Sequence, residues 1–301
     1  MTMAERLRPF YLRGRSAVRG FVKRHPTIDR VAGLSLVKIE LLGRRLGVFS
    51  VMDDSRDEFS LDGMRFRFDG DNRDVAETVI ATGEYESTTL DVIRELPAGG
   101  GFVDLGANIG FFTVFAAAAV GPGGRVYAFE PTPATAALVR HNLALNGVGA
   151  QATVVEKAVS ERPGTARFAV FRGAGQGNQL ELSGDAPAHD TIDVEVTSLD
   201  AHFAQLGWPR VDLIKMDIEG AELPALRGMR ELVQRSRGVR LVFEYNLGQL
   251  RRAGIPGSTL VDAVRALGFD RFAVLFRGRE PIEQLDRLAE RANVNVLAWR
   301  A

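Results

Sequence analysis

The chain contains no cysteine. That excludes disulfides, thiolate nucleophiles and cysteine-held metals, and it gives no sign of a secreted, disulfide-stapled scaffold. Net charge is also missing: 38 basic residues balance 38 acidic ones, so a globally basic nucleic-acid binder is not expected and no nucleic-acid partner is assigned. No run of about eighteen uncharged apolar residues occurs, so a membrane-spanning helix is not expected. The amino terminus has its apolar stretches broken by charges, which argues against a secretory signal. Histidine is scarce, with only His25, His141, His189 and His202. The dinucleotide pattern G-x-G-x-x-G is absent as well.

What is present begins with a charge asymmetry. Residues 1–46 hold eleven Lys or Arg against Glu5, Asp29 and Glu40, a formal +8, which leaves −8 on the remainder. They read as two helices broken near His25-Pro26. A helical cap packed on the rest is the expected arrangement, and peripheral contact of this basic segment with an anionic membrane is the alternative. The expected location is the cytoplasm. Phe59 to Phe68 alternates apolar and polar residues around Asp62-Gly63, a β-hairpin pattern. Helices are expected at 74–80 and 88–96.

From Gly101 onward strands and helices alternate, which predicts a parallel sheet covered by helices on both faces. Core strands are expected near 102–105, 125–130, 152–157, 211–217, 239–245, 271–277 and 294–299. Two further strand-like runs, 166–171 and 192–196, flank a polar loop, Arg172 to Asp190, expected to form an extra hairpin over the substrate mouth. The division is thus an N-terminal helical and hairpin extension, 1–83, followed by an α/β domain, 84–301.

The most informative stretch is Phe102-Val-Asp-Leu-Gly-Ala-Asn-Ile-Gly110, followed by Arg125-Val-Tyr-Ala-Phe-Glu-Pro131. A strand, a glycine-rich turn, an apolar helix and a second strand ending in Glu130 make a nucleoside-binding unit, with the acid accepting from two ribose hydroxyls. Asn108 stands where a diphosphate needs room, and Asp104 would repel one. Both favour a nucleoside with a cationic tail, which describes S-adenosylmethionine. Asp104, Glu130, Asp217 and Glu244 each fall at the carboxyl end of a predicted strand, where ligands bind in such sheets. Strand alternation puts Lys215 and Asp217 on one face.

These runs, with Asp212-Leu-Ile-Lys-Met-Asp-Ile-Glu-Gly-Ala-Glu222, Leu143 to Gly147 and Thr197-Ser-Leu-Asp200, resemble the FkbM family of S-adenosylmethionine-dependent methyltransferases over about residues 84–245. The resemblance implies a Rossmann-like, seven-stranded class I methyltransferase sheet whose last strand runs antiparallel. It also implies O-methylation of a sugar, a glycan or a related natural product. Candidate cofactor contacts are Asp104, Gly106, Ala107, Asn108, Gly110, Glu130, Pro131 and Ala158, with Tyr85 and Glu86 placed to close over the methionine end. For Asn108, contact with the cofactor's carboxylate and bracing of the turn both stay open.

Candidate catalytic groups are Asp217, Glu244, Lys215 and His189. As a general base, one of the acids or His189 would take the acceptor's proton. Asp217, Glu244 and Asn246 are similar to the hard-oxygen set with which catechol-type O-methyltransferases hold Mg²⁺, so a divalent metal is the alternative to metal-free transfer. Two rival functions also fit a nucleoside site. A non-catalytic scaffold acting through the basic helices is one. A dehydrogenase is the other, and the missing middle glycine argues against it.

Overall fold

A computed structural model of the protein describes residues 57–170, 179–180, 190–276, 278–282 and 293–301. The expected N-terminal helices, most of the loop 172–190 and His189 lie outside the described residues. Asp57 to Ala301 form one compact unit. In chain order its elements are β1 (Glu58–Leu61), β2 (Met64–Arg67), α1 (Asp74–Thr82), α2 (Ser87–Arg94), β3 (Gly101–Leu105), α3 (Phe111–Val120), β4 (Arg125–Phe129), α4 (Pro133–Leu145), β5 (Ala152–Val155), β6 (Ala158–Val159), β7 (Gly164–Val170), β8 (Gln179–Leu180) and β9 (Asp190–Thr197). Then come α5 (Leu199–Gln205), β10 (Leu213–Met216), α6 (Glu222–Arg227), α7 (Arg230–Arg235), β11 (Arg240–Asn246), α8 (Leu247–Arg252), α9 (Gly257–Ala266), β12 (Arg271–Leu275), β13 (Arg279–Pro281) and β14 (Asn293–Trp299).

The main sheet has the order β13-β12-β14-β11-β10-β3-β4-β5. Strands β11, β10, β3, β4 and β5 are parallel, and β14 inserts antiparallel between β11 and β12. The fold is the expected α/β, Rossmann-like one, with eight strands instead of seven. The extra strand, β13, pairs antiparallel with β12 at the sheet edge. Its three residues are all exposed, so no apolar alternation announced it.

Every residue of β3 is buried, and α3 is apolar almost all round because it too is covered on every side. The hairpin β1–β2 supplies part of that cover. Asp62 and Gly63 both take positive φ (48° and 82°), the backbone of a two-residue turn whose twist matches the strands. Phe66, fully buried, then packs its ring 5.1 Å from Phe111 and 5.8 Å from Phe115 of α3. Asn142 of α4 locks the same hairpin in place. Its amide accepts from Arg67 N at 2.7 Å and donates to Arg67 O at 2.9 Å and Ile109 O at 2.7 Å.

A second sheet, ordered β6-β9-β7-β8, carries the antiparallel β7–β9 pair expected from the sequence. Parallel pairing of β6 with β9 ties it to the chain leaving β5. Phe168 of β7 and Ala158 and Val159 of β6 thereby reach the carboxyl end of the main sheet.

Candidate active site

A cleft of about 1090 Å³, counted to its open mouth, lies at that carboxyl end. The turn between β3 and α3 forms its floor. Gly106 has φ +78°, and a Cβ there would stand 2.0 Å from the carbonyl oxygen of Asp217, so the β10 exit lies directly against the turn. Gly110 plays a different part: a Cβ on it would meet Val139 of α4 at 3.0 Å, a packing constraint between helices.

Four of the turn's amides are already committed. Gly106 N and Ala107 N both donate to Phe129 O, and Gly110 N donates to Ala107 O. Asn108 N donates to Glu130 Oε2 at 3.1 Å. Those four N–H groups therefore offer nothing to a phosphate, which agrees with the missing dinucleotide pattern. Asn108 reaches this geometry through a left-handed backbone, φ 51°, and leaves its side chain exposed in the cleft.

Glu130 is the best-anchored acid on the wall. Thr132 N donates to its other oxygen, Oε1, at 3.1 Å. Burial pushes its carboxyl up to about 7, against the opposing pull of the two backbone N–H groups. Two of the carboxylate's roughly four acceptor positions are used in this way, and the remainder are available to a diol. Pro131, Ala158, Val159, Phe129 and Phe168 complete an apolar wall around it.

The end of β10 supplies the second group. Lys215, buried, donates to Asp217 Oδ2 at 3.2 Å and lies 4.9 Å from the centroid of the Phe112 ring. Burial acts to lower the pKa of this ammonium, but the carboxylates of Asp217, Asp104 and Glu86 outweigh it and the net shift is upward. Glu219 follows on the wall with φ 52°. Burial first, then the charge of Asp217, pushes its carboxyl up to about 7, while Gln249 donates a hydrogen bond to it. Glu222 fastens this turn from behind, accepting from Ile218 N at 3.3 Å and Gly220 N at 3.1 Å.

Of the residues singled out in the sequence, Tyr85, Gly106, Ala107, Asn108, Glu130, Pro131, Ala158, Lys215 and Asp217 line one cleft. Others sit behind it. Asp104 is fully buried, accepts from Thr113 Oγ1 at 2.6 Å and leaves Oδ1 without a hydrogen-bond partner. Glu86, at φ 39°, starts α2 and accepts from Asn295 Nδ2 at 2.6 Å. Glu244 stands half-buried outside the cleft wall, its carboxyl raised to about 8 by burial and by the charges of Asp217 and Glu219. Asn246 is occupied as the cap of α8, accepting from Gln249 N at 3.2 Å. Among the described residues no group of three or more His, Asp or Glu side chains is arranged to hold a metal ion.

The reading of the sequence passed over Asp71, Asn72 and Asp74, which form another part of the wall. Their signal was the acid density of Asp69 to Asp74, between the hairpin and α1. It also used Glu219 only as a partner for Lys215.

Residues 104–269, more than half of the chain, match the methyltransferase FkbM domain. This chain belongs to the FkbM methyltransferase family. The 2-O-methyltransferase NoeI of Sinorhizobium fredii is 28% identical over 176 residues, covering 53% of this chain and 68% of that protein. Methyltransferase sdnD of Sordaria araneosa is 29% identical over 169 residues, 46% of this chain and 64% of its own. The 31-O-demethyl-FK506 methyltransferase FkbM of Streptomyces tacrolimicus is 29% identical over 164 residues, 46% of this chain and 62% of its own. The chain spans between 57% and 68% of the curated relatives it matches.

As an FkbM methyltransferase the protein uses S-adenosylmethionine as methyl donor. The residues present fit that molecule. A carboxylate with spare acceptor positions suits a ribose, an apolar wall suits an adenine, and the acids at the β10 exit suit a sulfonium and an ammonium. No helix among the described residues is long and apolar enough to cross a membrane.

Proposed function

We propose that this methyltransferase acts on oxygen, methylating a hydroxyl of a sugar, a glycan or a related natural product. The observation that carries this reading is the pair Asp217 and Glu219 at the exit of β10, in the same cleft as Glu130. Two of the named relatives are O-methyltransferases, which supports the same choice.

In this reading Glu130 holds the ribose, Asn108 reaches toward the cofactor's carboxylate, and Ala158 with its apolar neighbours borders the adenine. Tyr85 and Phe112 enclose the methionine end. When bound, S-adenosylmethionine supplies an activated methyl group whose bond to sulfur breaks as the acceptor oxygen takes it, leaving a neutral thioether. One of the two carboxylates, Asp217 or Glu219, receives the hydroxyl proton. Lys215 orients Asp217 through its 3.2 Å hydrogen bond, whereas Glu219, with a carboxyl near 7, is matched to proton acceptance at neutral pH. Alignment of the acceptor oxygen does most of the rest.

The test is methyl transfer to neutral saccharides from labelled S-adenosylmethionine, with Asp217→Asn and Glu219→Gln as variants. Turnover should fall by about 10²–10⁴-fold in the variant that loses the proton acceptor, with S-adenosylhomocysteine binding retained. A variant that simply fails to bind cofactor assigns its residue to the cofactor site and overturns the catalytic role.

A further inference from the structure

The same cleft holds a statement about the acceptor's charge. Only two cations line it among the described residues, and both are already engaged. Lys215 is paired with Asp217 at 3.2 Å, and Lys157 is paired with Glu195 at 2.9 Å. Four amides of the glycine-rich turn are spent on Phe129 O, Ala107 O and Glu130. Against this, Asp71 stands exposed on the rim, and Asp217 and Glu219 line the wall at the β10 exit.

Resting on the O-methylation reading above, we propose that the acceptor is a polyhydroxylated molecule without negative charge, a neutral sugar or an amino sugar, and that phosphorylated and uronic sugars are rejected. Carboxylates and amides are good partners for sugar hydroxyls, and Asn72 adds an amide to the acids of this wall. The phenol of Tyr85, which lines the cleft, is raised well above its ordinary range, first by burial and then by the charges of Glu86, Asp217, Asp74 and Glu244. Among the described residues of the cleft, a phosphate or uronate meets the acids of the wall and no unpaired ammonium or guanidinium, and like-charge juxtaposition is strongly disfavoured.

The experiment uses the full chain, methyl-labelled S-adenosylmethionine and a mixture of mono- and disaccharides containing neutral, amino, phosphorylated and uronic members. Products are first resolved from residual S-adenosylmethionine by liquid chromatography and then separated by anion exchange. Label should appear in the unretained fraction, exceeding the retained fraction by at least about tenfold. Label chiefly in the retained fraction overturns the proposal while leaving O-methylation intact. No label in either fraction, from protein that still binds S-adenosylhomocysteine, overturns the saccharide reading and this proposal with it. Asp71→Lys, at an exposed position, should let label appear in the retained fraction. A variant as selective as its parent overturns the electrostatic origin argued here.

Discussion

Binding of the cofactor product should release protons through Glu130, and the size of that release follows from the site. The carboxyl of Glu130 stands at about 7 because burial outweighs the hydrogen bonds from Asn108 N and Thr132 N. Near pH 7 it is therefore about half ionised in the free protein. Two ribose hydroxyls donating to its remaining acceptor positions favour the charged form, so the bound state holds it fully ionised. S-adenosylhomocysteine should thus release about half a proton per molecule bound at pH 7, and its Kd should weaken about 25-fold between pH 7.5 and pH 5.5. Calorimetric titration in two buffers of different ionisation enthalpy measures the release directly. Glu219 and Glu244 also have raised carboxyl pKa values, so the Glu130→Gln variant isolates the contribution of Glu130. If Glu130→Gln releases as many protons as the parent, or if the parent releases none at pH 7, the assignment of Glu130 to the ribose is wrong.

Three other outcomes follow from the same geometry. Gly106→Ala should lower stability by about 3 kcal/mol or more, through a positive φ and a Cβ 2.0 Å from the Asp217 carbonyl; thermal unfolding would show a drop of several degrees, and an unchanged Tm would contradict the close approach. Asn108→Gly suits φ 51° and keeps the N–H bond to Glu130, so Tm should hold or rise while affinity for S-adenosylhomocysteine falls about tenfold. Unchanged affinity would reduce Asn108 to a brace of the turn. The ligand-free protein should be more stable near pH 5 than near pH 8 in urea titrations. Burial raises Glu130 and Glu219 to about 7 and Glu244 to about 8; the stability they contribute is present below their unfolded values near 4.5 and is lost as pH rises through 7–8. A stability that climbs across that range would refute it.

The sheet was legible because its strands announce themselves. β3 and β10 are buried at every position and read as continuous apolar runs interrupted by one charged residue each, Asp104 and Lys215. Alternation also placed Lys215 and Asp217 on one face, and their 3.2 Å contact agrees. Strand β13 was not legible, since Arg279-Glu-Pro281 is exposed and held only by its pairing with β12. The four acids at strand ends were a partial guide. Glu130 and Asp217 reach the cleft wall; Asp104 turns inward to Thr113 of α3, and Glu244 lies behind with one oxygen buried and unpartnered. Position along a strand says that an acid is near the ligand end. Which way its side chain turns depends on the neighbouring helix, and a single sequence does not carry that.

Backbone strain marks the same ground. Five non-glycine residues among those described have positive φ, and Asp62 and Trp208 serve a hairpin turn and a helix exit. The other three are Glu86, Asn108 and Glu219. Asn108 and Glu219 line the cleft, and Glu86 is joined to Tyr85, which also lines it. Each left-handed residue costs about 1–3 kcal/mol unless its surroundings hold it. Those surroundings are identifiable: Glu130 holds the Asn108 N–H, Gln249 holds the Glu219 carboxyl, and Asn295 with Lys215 holds Glu86. Every one of these holders is itself polar and tied to the carboxyl end of the sheet or the helix that follows it. A single buried ammonium, Lys215, offsets Asp217, Asp104 and Glu86 together. Removing that charge should loosen all three acids at once, whereas removing Asp104 or Glu86 leaves the hydrogen-bonded pair of Lys215 and Asp217 in place.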